Sequence, residues 1–105
     1  MATVAFTTRE SNVSQAASFN FTSDGSAQIV NLGFKPQYVK IVNETDSIIW
    51  EWFEGLAATK TVKITGVPAV TIDTGSAIVY NGDGTITLSA TLVGTAKVIK
   101  GIAFI

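Results

Sequence analysis

The stretch Thr85-Ile86-Thr87-Leu88-Ser89-Ala90-Thr91-Leu92 sets a hydroxyl residue at every odd position and an apolar one at every even position. Side chains of a β-strand alternate between two faces, so this period of two predicts a strand over 85–92 with one wet and one buried side. The same alternation, rich in β-branched residues, recurs along almost the whole chain. It predicts further strands near 3–8, 17–22, 27–32, 37–43, 47–53, 60–65, 69–73, 77–80 and 96–104. Turn-forming sequences separate them: Ser23-Asp24-Gly25-Ser26, Gly33-Phe34-Lys35-Pro36, Gly66-Val67-Pro68, Thr74-Gly75 and Asn81-Gly82-Asp83-Gly84. No window carries the apolar stripe of a helix. The expectation is therefore all-β: one domain over residues 1–105, a β-sandwich or jelly-roll-like fold of about 8–10 short antiparallel strands. Residues 1–16 are a candidate N-terminal strand or arm, because the polar run RESNVSQA at 9–16 breaks the alternation. That run reads either as a linker or as the base of an arm exchanged with a neighbour.

Two segments do not fit a half-buried strand. In DSIIWEWFEG, residues 46–55, Ile48, Trp50 and Trp52 share one face, while Ile49, Glu51 and Phe53 share the other. In KVIKGIAFI, residues 97–105, Val98, Ile102 and Phe104 stand opposite Ile99, Ala103 and Ile105. Both segments are apolar on two sides and require cover on two sides. Trp50, Trp52 and Ile48 are expected to fill the core, leaving Ile49 and Phe53 to a second layer or a neighbouring subunit.

Composition points the same way. The chain is 47% hydrophobic but only 14% charged, with a net charge of −1, against about 25% charged in an average domain. Low net charge favours association, and self-association as a trimer or dimer is expected. Seven basic and eight acidic residues form no basic stripe, which argues against a nucleic-acid partner. No apolar run approaches the ~18 residues of a membrane span. The start, MATVAFTTRE, lacks the basic region and apolar stretch of a secretory signal, so a cytoplasmic setting is expected.

Candidate chemistry is sparse. The chain has no cysteine and no histidine, which removes thiolate metal sites and the commonest general base. Asn81-Gly82-Asp83-Gly84 offers one carboxylate where calcium needs six to eight oxygens, and Asn-Gly and Asp-Gly are hairpin signals; a turn is the better reading, there and at Asp24-Gly25. Glu51 and Glu54 would point to opposite faces of one strand, so they build no local acid–base pair of the glycosidase kind. Glu51, between two tryptophans, is a candidate buried carboxylate paired with a lysine such as Lys40. The serines and threonines have no histidine and no Gly-x-Ser-x-Gly elbow to activate them; a hydrolase using Glu51 or Asp46 is the weakest reading, and no enzyme and no cofactor are expected. The sequons at Asn12, Asn20 and Asn43 read as hydrophilic strand ends and turns. The aromatic segment, with Asn43, Asp46 and Glu51, could serve a sugar site, but its rings alternate between faces instead of lining one, which favours a core or subunit interface.

From Leu32 the chain reads LGFKPQYVKIVNETDSIIWEWFEG, residues 32–55. This run resembles a pattern in small virion structural proteins of tailed bacteriophages. The matching residues are Gly33, Phe34 and Pro36; Tyr38 and Val39; Asn43, Thr45 and Asp46; then Glu51, Trp52, Phe53 and Gly55. Where the pattern often continues with methionine, this chain has Leu56, which keeps an apolar side chain. The resemblance implies a virion component of the head decoration (cement) type, sited on the capsid surface, assembled in the host bacterial cytoplasm and partnered by the major capsid protein. The alternative is a receptor- or carbohydrate-binding module of a phage tail or fibre. Neither implies a catalytic residue. The candidate interface residues are Ile49, Phe53, Phe104, Ile105, Phe34 and Tyr38.

Overall fold

A computed structural model describes residues 15–57, 59–66 and 69–105. The expected strand at 3–8, most of the N-terminal arm and the Val67-Pro68 part of one turn lie outside the described residues.

Nine strands are seen among the described residues: β1 (Ala16–Asp24), β2 (Gln28–Asn31), β3 (Tyr38–Asn43), β4 (Ile48–Phe53), β5 (Thr61–Thr65), β6 (Ala69–Asp73), β7 (Ile78–Tyr80), β8 (Thr85–Leu88) and β9 (Thr95–Phe104). They form two antiparallel sheets packed together, a β-sandwich as expected. The long sheet runs β1-β9-β3-β4-β5-β6 and the short one β2-β8-β7. Consecutive strands β3 to β6 pair through turns, whereas β1 and β9, from opposite ends of the described chain, close one side of the long sheet.

The core lies between the sheets. Val39 and Ile41 of β3, Trp50 of β4, and Ile99 and Ala103 of β9 face Ile78, Ile86 and Leu88 of the short sheet, and all are buried. Ile48 and Trp52 pack against this cluster with Phe19, Phe21, Phe34 and Tyr80. Trp50 thus sits inside, and Lys63 Nζ stands 4.8 Å from the centre of its ring, a cation–π contact worth about 0.5–2 kcal/mol.

The alternation at 85–92 does not continue as one strand. β8 ends at Leu88, and 90–93 form a single helical turn. The Ser89 side chain accepts a hydrogen bond from Leu92 N–H at 3.1 Å, and Gly94 leaves the turn at φ 68°. The reason is burial: Leu92 and Val93, adjacent in sequence, are both in the core, and a strand would send one of them outward.

The turns use the residues that signalled them. In Asn81-Gly82-Asp83-Gly84, Gly82 and Gly84 take φ of 90° and 85°, and Asp83 Oδ1 accepts from the Thr85 backbone and hydroxyl. Its carboxylate is committed to the hairpin between β7 and β8.

Candidate interaction surface

Strand register decides what the long sheet turns away from the core. Across β9, β3 and β4 one row reads Phe104, Tyr38, Phe53; the next reads Ile102, Lys40, Glu51; the third reads Lys100, Val42, Ile49. Through β5 and β6 the second row continues with Val62 and Ile72, and the third with Ile64 and Val70. The outer face therefore carries three aromatic rings and seven branched aliphatic side chains around Lys40, Lys100 and Glu51. Phe53 is 45%, Phe104 44%, Ile72 52% and Val70 70% exposed. A monomer's largest apolar patch is typically about 300–600 Å², and patches of that kind mark interaction sites.

The β5–β6 hairpin inverts the usual arrangement. Its core-side residues are Thr61, Lys63 and Thr65 on β5, then Ala69, Thr71 and Asp73 on β6, and Ala69 and Thr71 remain exposed there. Its outward residues are Val62, Ile64, Val70 and Ile72. The hairpin offers its apolar side to solvent as an extension of the outer face.

Polar groups on this face are arranged unevenly. The Tyr38 hydroxyl donates to Glu51 Oε2 at 2.7 Å. Desolvation first, then this bond and the carboxylate's charge, push the Tyr38 phenol up to about 12. The Tyr38 ring stacks on Phe104, with centroids 6.1 Å apart at 25°. Lys40 stands directly across from Glu51, yet among the described residues the ion pairs are Lys35–Glu54, Lys97–Asp46 and Lys100–Glu44. The expected Lys40–Glu51 pair is not formed; Tyr38 takes the carboxylate instead. Beside Lys40 lies an open depression of about 390 Å³, lined by Ser18, Asn20, Lys40, Val42, Lys100 and Ile102.

Of the interface candidates, Ile49, Phe53, Tyr38 and Phe104 share this face, and Ile105, 50% exposed, follows at its edge. Phe34 lies elsewhere, packed against the core. Sequence reasoning missed the contribution of β5 and β6, whose alternation shows which residues share a face but not which face is covered. Glu51 and Glu54 do not meet, since Glu54 pairs with Lys35. Among the described residues no three acidic side chains gather where a metal could be held, and no helix is long and apolar enough to cross a membrane.

The residues that carry the resemblance hold the fold. Asn43 and Asp46 close the β3–β4 turn through Asn43 Nδ2 to Asp46 Oδ2 (3.1 Å) and Asp46 N to Asn43 Oδ1 (2.9 Å). The Thr45 hydroxyl accepts from Val98 N at 2.9 Å, which ties that turn to β9. Gly33 continues the β2–β8 pairing, its N–H donating to Gly84 O at 3.0 Å; a Cβ on Gly84 would press to 3.4 Å from the Gly33 backbone. Pro36 is buried behind it. No known protein family, curated protein or solved structure matches the chain.

Proposed function

We propose that this chain is a non-enzymatic structural protein of a bacteriophage virion, a decoration (cement) protein on the capsid surface that stabilises the head lattice. The observation that carries this reading is the outer face of the long sheet, where aromatic and aliphatic side chains stand uncovered on a rigid antiparallel platform. A cement protein performs no chemistry; it needs stiff strands and flat apolar surface that fit a repeating lattice. The motif at 33–55 supports the phage assignment, because its residues set turns and core contacts in place and leave the Tyr38–Phe53 face presented. Its partners are then the major capsid protein and further copies of itself, as a dimer or trimer, brought together in the host cytoplasm.

The test is immunogold labelling of intact virions with antibody to this chain. Label over the heads is the expected result, and label confined to the tail or its fibres overturns it. One observation favours a second reading as a carbohydrate-binding module of a tail: Tyr38, Phe53 and Phe104 expose aromatic rings on one face. Binding on a glycan array that disappears in Phe53→Ala, with circular dichroism unchanged, would replace the decoration reading with that one. Trp50, enclosed in the core, has no ring face to offer a sugar.

A further inference from the structure

The outer face is complementary to itself about one axis, and we infer that a second copy of this chain covers it as a two-fold dimer. The inference rests on the reading above that this face is an association surface, and it names the occupant.

β3 and β4 lie side by side with Tyr38 opposite Phe53, Lys40 opposite Glu51 and Val42 opposite Ile49. A two-fold axis parallel to the strands, between β3 and β4, lays a second sheet on the first, ~10 Å away as stacked sheets sit. That operation places β3 of one copy over β4 of the other. Each outward residue of β3 then meets its own cross-strand partner from the second copy: Tyr38 over Phe53, Lys40 over Glu51, Val42 over Ile49. Aromatic meets aromatic, cation meets anion, and aliphatic meets aliphatic. An isologous interface requires such self-complementarity.

Two further features fit the same axis. Lys40, without an ion pair among the described residues, gains a carboxylate, and Glu51 keeps an oxygen free beside the one that Tyr38 occupies. The operation also sets β1 and β9 beneath the second copy's β6 and β5. The depression lined by Ser18, Asn20, Lys100 and Ile102 then lies opposite Val62, Ile64, Val70 and Ile72, the apolar side of the inverted hairpin. The exposed Val70 and Ile72 thereby gain cover. Six strands at ~4.8 Å spacing and six residues at ~3.4 Å rise give a footprint on the order of 600 Å², and accessible area over so corrugated a surface approaches the ~800 Å² per partner of a standard interface.

The experiment is sedimentation velocity at micromolar concentration on the full chain and two charge reversals. Wild type is expected at twice the 11.0 kDa monomer mass. Lys40→Glu alone and Glu51→Lys alone each place like charges together twice across the axis, and each should weaken self-association at least ~100-fold. Mixed one to one, they restore both contacts, because the carboxylate introduced at position 40 of one variant meets the ammonium introduced at position 51 of the other; a heterodimer of the two is expected. A monomeric wild type, a trimer, indifference to either reversal, or failure of the mixture to associate would each overturn the proposal. Carbodiimide treatment of the wild-type chain checks it without any variant: a covalent dimer joined through Lys40 and Glu51 supports it, and dimer joined elsewhere opposes it. The two readings fail separately, since a monomer that labels virion heads removes the dimer alone, and a dimer absent from virions removes decoration alone.

Discussion

Substituting Gly101 by alanine tests the closest contact in the core. Gly101 faces inward on β9, flanked across the sheet by Phe19 of β1 and Ile41 of β3. A Cβ at this position would overlap the edge of the Phe19 ring and lie 2.8 Å from Ile41 Cδ1. The ring occupies the space that a side chain would need, so it must tilt out of its site. Forcing extra volume into a packed core costs about 1–3 kcal/mol, and alanine recovers roughly 0.5–1 kcal/mol of the entropy that glycine loses on folding. The net is a destabilisation of about 1–2 kcal/mol. At roughly 4–8 °C per kcal/mol for a domain near this size, Tm should fall by about 5–15 °C, read by circular dichroism, and the urea midpoint should drop with an unchanged slope. Phe19→Leu in the Gly101→Ala background shortens the ring that is in the way. The two substitutions should therefore be less damaging together than their sum, with a coupling of about 1 kcal/mol. A Gly101→Ala chain as stable as wild type, or more so, would refute the placement of Phe19 over Gly101.

Three other outcomes follow from single groups. Tyr38, held up to about 12 by desolvation and by Glu51, keeps its proton in the folded state after the unfolded chain has lost it; stability is full below about pH 10, declines as pH rises towards 12, and the late phenolate absorbance step vanishes in Tyr38→Phe and moves down in Glu51→Gln. Thr61 Oγ1 is buried with no hydrogen-bond partner among the described residues, so Thr61→Val, which keeps the shape and removes the hydroxyl, should raise stability by about 1 kcal/mol in urea unfolding. Asp83, held below its ordinary 3.8 by its bonds from the Thr85 hydroxyl and backbone, should stay ionised in the fold after the unfolded chain has protonated; its contribution is present above pH ~4 and is lost as pH falls through the lowered value, which carboxyl NMR titration reads directly.

The alternation made most of the strands legible, because the two faces of a strand differ wherever one of them meets a core. Residues 85–88 show this: Ile86 and Leu88 are buried, while Thr85 and Thr87 on the other face are half-buried. Local chemistry also marked the turns, since Gly25, Gly33, Gly82 and Gly84 all adopt the positive φ their positions suggested. What alternation could not carry was the end of β8. Ser89-Ala90-Thr91-Leu92 fits a strand pattern as well as it fits a capped helical turn, and the deciding signal was the adjacent pair Leu92-Val93 before Gly94. The pairing of β1 with β9 was illegible for a different reason: it joins residues some 80 positions apart, and nothing local specifies a contact of that range. Gly101 was a missed local signal, since a glycine inside a strand marks a close approach by another group, here Phe19.

The inverted hairpin is the strongest physical reason to read the outer face as an interface. A slip of one residue in the β4–β5 register would turn Val62 and Ile64 towards the core side and Thr61, Lys63 and Thr65 to solvent. For a monomer that exchange would bury apolar area, which contributes about 25 cal/mol per Å². The chain keeps the other register. Part of the reason is local: Lys63 lies over Trp50, a contact the slip would break. It does not account for β6, where Thr71 points to the core side and is exposed, while Val70 and Ile72 point outward and are exposed as well. β6 gains nothing from its own second sheet on either face. Its sequence is instead patterned as though a core lay on the outer side, in line with Phe53, Ile49 and Tyr38. A strand patterned for burial on the side where its own chain supplies no cover is accounted for once that cover comes from another molecule, and the register of β3 against β4 offers a geometry in which a second copy would supply it.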